Sequence, residues 1–205
     1  MALNTYDDLK GEIAAIVART DIAANDARID TAIDLFEADC NLRLRHRRMQ
    51  KTITAAAVGN GYALPSDFIE VFTFANTATP YQLTYVPQSA FVEQRLNSGQ
   101  PDNYTIGVDA NGLDTINVNA GGTFALTYYA KIPALSSTNQ TNWLLTLYPD
   151  AYLSGATYFL FRLLRNSLAG DYKGLMDDAI EKLITNSETT TGSGAMRQRI
   201  NGVAV

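Results

Sequence analysis

The spacing of apolar residues predicts two helices at the start of the chain. In residues 5–18 and 25–47, apolar side chains recur every three or four positions, which is typical of amphipathic helices. Thr5 and Asp8 have the spacing of a capping box, and Asn25 is suited to cap the second helix. Both helices should therefore bury one face and expose the other.

The second predicted helix has an apolar inner face and a polar outer face. The inner residues are Ile29, Ile33, Phe36, Cys40 and Leu44, and the outer residues are Asp30, Asp34, Glu37 and Asn41. Cys40 is interpreted as a small core residue, because nothing near it in sequence would lower the pKa of its thiol.

From residue 51 the apolar pattern alternates, which predicts β-strands up to residue 131. Gly59, Asn60 and Gly61 predict a hairpin turn, with residues 62–64 as the return strand. Further strands are expected at 68–74 and 81–85, and a short helix at 87–99. Three strands separated by compact turns, at 104–108, 113–119 and 124–130, predict a β-meander.

Two more helices are predicted after the strands. Residues 149–168 are apolar nearly all round, so this helix must be surrounded, and Gly155 permits a close backbone approach. The fourth helix follows Gly170 and is amphipathic. Its inner residues are expected to be Leu175, Met176, Ala179, Ile180, Leu183 and Ile184.

The fold class predicted from these patterns is α+β. A discontinuous four-helix domain would carry an inserted, mostly antiparallel β module built as a small sandwich or barrel. The expected divisions are residues 1–50 and 136–190 for the helical domain and 51–135 for the β module. Residues 191–205 would be a flexible tail, either disordered or ordered only by a partner.

Composition excludes several kinds of chemistry. The 205 residues include one cysteine and one histidine, which cannot form an internal disulfide or a structural zinc site. No nucleophile triad, phosphate-binding loop or dinucleotide motif occurs, so no enzyme, catalytic residue, cofactor or metal is predicted. The net charge of −5 argues against a protein that coats nucleic acid. No signal peptide or membrane segment is expected either.

Two short stretches remain as interface or channel candidates. Arg43, Arg45, Arg47 and Arg48 form a basic run at the expected end of the second helix. These arginines could stabilise the helix end and form salt bridges, or they could face DNA or an acidic partner. Trp143 and Leu144 lie in a polar linker, where the indole ring needs a burial site or a partner. Arg197 and Arg199 are further candidates in the tail.

Several motifs, taken in order, resemble the head-to-tail adaptor (connector) proteins of short-tailed bacteriophages and related prophages. They are ARTD at 18–21, E-A-x-x-x-L-R-x-R at 37–45, Y-x-L-P-x-D-F at 62–68, S-G-x-P-x-x-Y-T-I at 98–106, and YYAKIPALSSTNQTNWLL with YPDAYLSGA within 128–156. Each motif alone is weak, and their order carries the resemblance. The final residues show no pattern of the family.

The resemblance implies a structural protein made in the host cytoplasm and placed in the virion neck. Such a protein forms a ring, a dodecamer, beneath the portal protein, extends the channel for packaged double-stranded DNA and docks the tail or nozzle protein. It needs no cofactor and no membrane. The alternatives are a nucleic-acid-binding module that uses the basic run, and a virion-associated hydrolase.

Overall fold

The computed structural model describes residues 3–57, 61–78, 81–94 and 100–191, and these contain six α-helices and eight strands. The helices are α1 (Tyr6–Val17), α2 (Ala27–Arg43), α3 (Gln88–Gln94), α4 (Trp143–Leu147), α5 (Pro149–Leu163) and α6 (Ala169–Thr191). The strands are β1 (Gln50–Ala57), β2 (Gly61–Ala63), β3 (Phe68–Asn76), β4 (Tyr81–Gln82), β5 (Thr84–Tyr85), β6 (Asn103–Val108), β7 (Asp114–Val118) and β8 (Gly122–Ala130). The predicted α+β class is confirmed.

The chain divides into two compact units. One, the helical unit, comprises Met1–Arg48 and Ile132–Val205, and the other, the β unit, comprises Met49–Lys131.

Helix α5 lies at the centre of the helical unit and packs against α1, α2, α4 and α6. A Cβ atom on Gly155 would lie 2.1 Å from the Phe36 ring, so only glycine lets α2 approach this closely. The predicted close approach at Gly155 is therefore confirmed. The helix ends at Leu163 rather than at residue 168, because the chain turns there through Arg165, whose φ is 53°.

The ends of the first two helices confirm one prediction and correct two. The Thr5 hydroxyl accepts from the Asp8 backbone N–H, and the Asp8 carboxylate accepts from the Thr5 N–H, as a capping box requires. Asp26, not Asn25, caps α2, because its carboxylate accepts from the Arg28 N–H at 2.8 Å. The helix then ends at Arg43 instead of residue 47.

The inner stripe of α6 is narrower than predicted. Met176, Ala179, Ile180 and Leu183 are buried, whereas Leu175 and Ile184 are exposed. These two residues lie on opposite flanks of the stripe, beyond the width that contact with one neighbouring helix covers.

The β unit is a sandwich of two four-stranded sheets, not a closed barrel. The strand orders are β1-β8-β3-β4 and β2-β7-β6-β5, and all pairings are antiparallel except β5 with β6. Aromatic rings fill the space between the sheets. Phe74 stacks on Phe124 at a centroid distance of 4.9 Å and meets Tyr104 edge-on at 5.2 Å.

Two predicted strand pairings are wrong. β1 pairs with β8 and β2 pairs with β7, so the strands on either side of the predicted hairpin belong to different sheets. Residues 58–60 of that turn lie outside the described residues, as do residues 95–99 of the helix predicted at 87–99. β6 and β7 form the first hairpin of the predicted meander, but β8 joins the other sheet. A short turn reverses the chain without specifying which sheet receives the next strand.

Candidate functional site

The basic run leaves α2 after Arg43: residues 44–46 belong to no helix or strand, and Arg47–Met49 form a single turn of 3-10 helix. Leu44 has φ −90° and ψ 139°, so the helical periodicity ends there. Leu44 and His46 are buried, whereas all four arginines are exposed. All four arginines were predicted at the end of the second helix, but only Arg43 lies in α2.

Arg43 and Arg45 are bound within the helical unit. The Arg43 guanidinium lies 2.8 Å from the Asp177 carboxylate and 3.3 Å from that of Asp39, and it thereby joins α2 to α6. Lys173 and Arg43 together hold the pKa of Asp177 below its usual range. Arg45 donates to the carbonyls of Asn41 and Leu44, at 3.1 and 2.7 Å, and so caps the end of α2.

Arg47 and Arg48 are held by their backbones, and their side chains are exposed. The Arg47 N–H donates to the Ser187 hydroxyl of α6 at 3.1 Å, and the Arg48 N–H donates to Nδ1 of His46 at 3.2 Å. These bonds position two cationic side chains at the surface just beyond α2.

His46 is the aromatic partner of Trp143. The two rings stack at a centroid distance of 4.9 Å and an interplanar angle of 15°, and Tyr148 meets His46 edge-on at 6.2 Å. Burial lowers the pKa of His46, and the charges of Arg47 and Arg48 lower it further, so the neutral imidazole is favoured. Trp143 is half-buried and Leu144 is fully buried. Trp143 begins α4 rather than lying in an irregular linker.

A cavity of about 140 Å³ lies between the basic run and α6. Its lining residues are Arg43, Leu44, Arg45, His46, Ile184 and Ser187. The lining therefore combines two arginines, an imidazole and a hydroxyl group with two apolar side chains.

A buried polar network fastens the segment that returns from the β unit, residues 132–142. One Glu37 carboxylate oxygen accepts from the Tyr152 hydroxyl at 2.8 Å and from the Leu135 backbone N–H at 2.9 Å. Asn142 donates to the Tyr152 hydroxyl at 2.6 Å and to the Pro133 carbonyl at 2.8 Å. Asn142 also caps α4, because its side-chain oxygen accepts from the Leu145 N–H.

Glu37 shows where the helical pattern misled the sequence analysis. It was assigned to the outer face of α2, but only 5% of it is exposed. Asn41, assigned to the same outer face, accepts from the Ile132 N–H at 2.9 Å. The only signal in the sequence is that Glu37 and Asn142 both fall within the motifs of the resemblance.

Burial raises the pKa of Glu37 to about 7. The hydrogen bonds from Leu135 and Tyr152 favour the carboxylate and limit this rise, while the nearby charge of Asp34 adds to it. Glu37 does not line the cavity described above. Its contacts make it a group that positions residues 132–142 against α2 and α5.

The described residues offer neither a metal site nor a membrane-spanning helix. They contain no cluster of three or more His, Cys, Asp or Glu side chains placed to hold a metal ion. None of their helices is long and apolar enough to cross a membrane. Arg197 and Arg199 lie outside the described residues, so their positions remain predictions.

Comparison with known proteins decides the class of this molecule. Residues 4–199 match the SU10 adaptor protein family. The chain belongs to this family. No curated protein matches it.

Membership of the SU10 adaptor family confirms the resemblance found in the sequence and gives the protein a structural role as a phage adaptor. The match extends past residue 156, where the recognised motifs end, and includes α6, although no family pattern was recognised in the final residues. Glu37, Asn142 and the His46–Trp143 stack all lie within the matched range. As an SU10 adaptor, the protein takes part in phage assembly.

Proposed function

We propose that this protein is a head-to-tail adaptor that assembles as a dodecameric ring beneath the portal, in the virion neck. The ring would extend the channel for packaged DNA and present the surface on which the tail or nozzle protein docks. Membership of the SU10 adaptor family supports the general role.

The observation that carries the ring is the exposure of large apolar side chains on the helical unit. Leu42 of α2 is 79% exposed and Leu175 of α6 is 55% exposed, with Leu35 also exposed on α2. A repeating contact between different faces of one subunit buries such surfaces and closes into a ring when the rotation is suitable.

Fewer arginines of the basic run are available to contact DNA than its sequence suggested. Arg43 and Arg45 are bound to acceptors in the helical unit, whereas Arg47 and Arg48 expose their guanidinium groups. These two arginines could line the channel or pair with a neighbouring copy. A separate nucleic-acid-binding module would instead require salt-dependent duplex binding by the isolated monomer.

Ring assembly is tested directly by mass photometry and negative-stain imaging, with the chain alone and with purified portal rings of the same phage. We expect closed rings, either spontaneously or on the portal. A protein that stays monomeric and does not bind the portal under any of these conditions would contradict the proposal.

A further inference from the structure

Two exposed helix faces of the helical unit have complementary character. The α2 outer face is defined by Leu35, Ala38 and Leu42, and it is followed in the chain by the exposed Arg47 and Arg48. The α6 outer face is defined by Asp171, Gly174, Leu175, Asp178 and Glu181, all exposed. The first surface is apolar around its two leucines, with the exposed Asp34 at one edge and two exposed arginines further along the chain. The second is mainly acidic around one leucine, with Lys182 as the one cation among the described residues of this face.

These two faces are directed away from the centre of the unit. Phe36 and Glu37 point from α2 toward α5, and the helical repeat places Leu35 and Leu42 on roughly the opposite side. On α6, Met176, Ala179 and Leu183 are buried, and the helical repeat directs Asp171 and Asp178 away from them. α5 packs against both helices, and each face lies on the side of its own helix that is turned away from the buried residues.

The packing within one subunit does not account for the residues on these faces. A Cβ atom on Gly174 would meet nothing within 4 Å. Glycine in a helix interior is about 1 kcal/mol less favourable than alanine, so this position has a cost without an internal benefit. It leaves a shallow site on α6 beside Leu175, where a side chain from outside can approach the backbone.

We infer that the α2 outer face of one copy docks on the α6 outer face of the next copy. Leu35 and Leu42 would form the apolar centre against Leu175 and Gly174, while Arg47 and Arg48 would lie opposite Asp178 and Glu181. The occupant is a second copy because both complementary surfaces are present on one chain, so that each copy offers the surface that the next copy needs. Such a contact repeats head to tail. The inference rests on the proposed ring and names the surfaces that form it.

Charge reversal tests the pairing of the two faces. The variants Arg47→Glu/Arg48→Glu and Asp178→Lys/Glu181→Lys should each abolish rings at concentrations where the wild type assembles, because like charges would meet. All four substitutions combined in one chain should restore rings, because every interface is again complementary. Mass photometry measures the ring fraction, and circular dichroism confirms that each variant is folded.

Two further variants show whether the loss of rings is specific to substitutions in the proposed interface. Leu42→Asp should weaken assembly while leaving the monomer folded, because Leu42 is exposed. Arg19→Glu, an exposed reversal in the loop between α1 and α2, should leave the ring fraction unchanged.

The outcomes distinguish this inference from the proposed function. If both charge-reversed variants still form as many rings as the wild type, the docking of α2 on α6 is wrong, but the proposed ring is not. The same holds if the combined variant is folded and fails to assemble. A wild type that forms no ring with or without portal would instead overturn the proposed function, and this inference with it.

Discussion

The two units are stabilised in different ways. Between its sheets the β unit buries stacked and edge-on rings, including Phe74, Phe124 and Tyr104. In the helical unit the core includes Glu37, a buried carboxylate tied to Tyr152 and to the returning chain. The stability of a core of packed rings depends mainly on the volume and shape of the side chains. The stability of a core that contains a buried carboxylate depends also on each of its hydrogen bonds and on pH. The following predictions test that contrast.

The largest effect is expected for Phe124→Ala in the β unit. Phe124 is fully buried, so its removal should lower the free energy of unfolding of that unit by about 3 to 5 kcal/mol. Chemical denaturation followed by circular dichroism measures the loss. Phe72→Ala is the matched control, because that residue is 47% exposed and its loss should lower the free energy of unfolding much less. Equal losses of unfolding free energy for the two substitutions would show that the rings between the sheets are not the main source of stability in the β unit.

Glu37→Ala should destabilise the helical unit by about 2 to 4 kcal/mol, because it removes the acceptor for two buried donors. Glu37→Gln retains an acceptor oxygen of similar position and should cost less. The fluorescence of Trp143 reports this unit specifically, since it is the single tryptophan in the chain. A Glu37→Ala variant as stable as the Gln variant would refute the role of the network.

The stability of the helical unit should also depend on pH through Glu37. Its pKa is about 7 in the folded chain, whereas the ordinary value is 4.5. Between pH 4.5 and 7, the Glu37 carboxyl therefore keeps its proton in the folded state and has lost it in the unfolded state. The contribution of Glu37 is therefore greatest below pH 4.5, falls as the pH rises toward 7 and is constant above it. Compared with Glu37→Gln, the wild type should lose about 3 kcal/mol of folding stability across this window.

The difference between wild type and Glu37→Gln isolates this effect. The lowered pKa of His46 makes stability rise with pH up to its ordinary value, and that opposite trend is common to both proteins. A difference that does not change between pH 4 and 8 would mean that Glu37 titrates normally.

The smallest effect is expected for Trp143→Ala. The ring is half-buried and stacked on His46, so its loss should cost about 1 to 2 kcal/mol, less than for a fully buried aromatic side chain. Trp143→Phe should recover part of this, because a phenyl ring can still stack on the imidazole. Circular dichroism is the measurement here, since both variants lack the fluorescent residue. A loss as large as that of Phe124→Ala would show that Trp143 is a core residue.

The sequence predicted features that depend on neighbouring residues. The Thr5 capping box was predicted because side-chain chemistry over a few residues decides it. Gly155 was predicted to permit a close approach because glycine lacks a Cβ atom, but its partner, Phe36, was not predicted. The sheet assignment of β8 and the burial of Glu37 were not predicted either. Each depends on which distant segment arrives beside it, such as β1 for β8 or residues 132–142 for Glu37.

The sequence by itself determined the α+β class, the insertion pattern and, through ordered motifs, the adaptor family. Periodicity and short motifs are properties of the chain that persist whatever it packs against. Only the tertiary structure decided that α2 ends at Arg43, that His46 stacks on Trp143, and that Arg43 and Arg45 are bound while Arg47 and Arg48 are exposed. The ring stack and the Arg43–Asp177 ion pair join the end of α2 to α4 and α6, which follow about a hundred residues or more along the chain, and local patterns carry no information about such contacts.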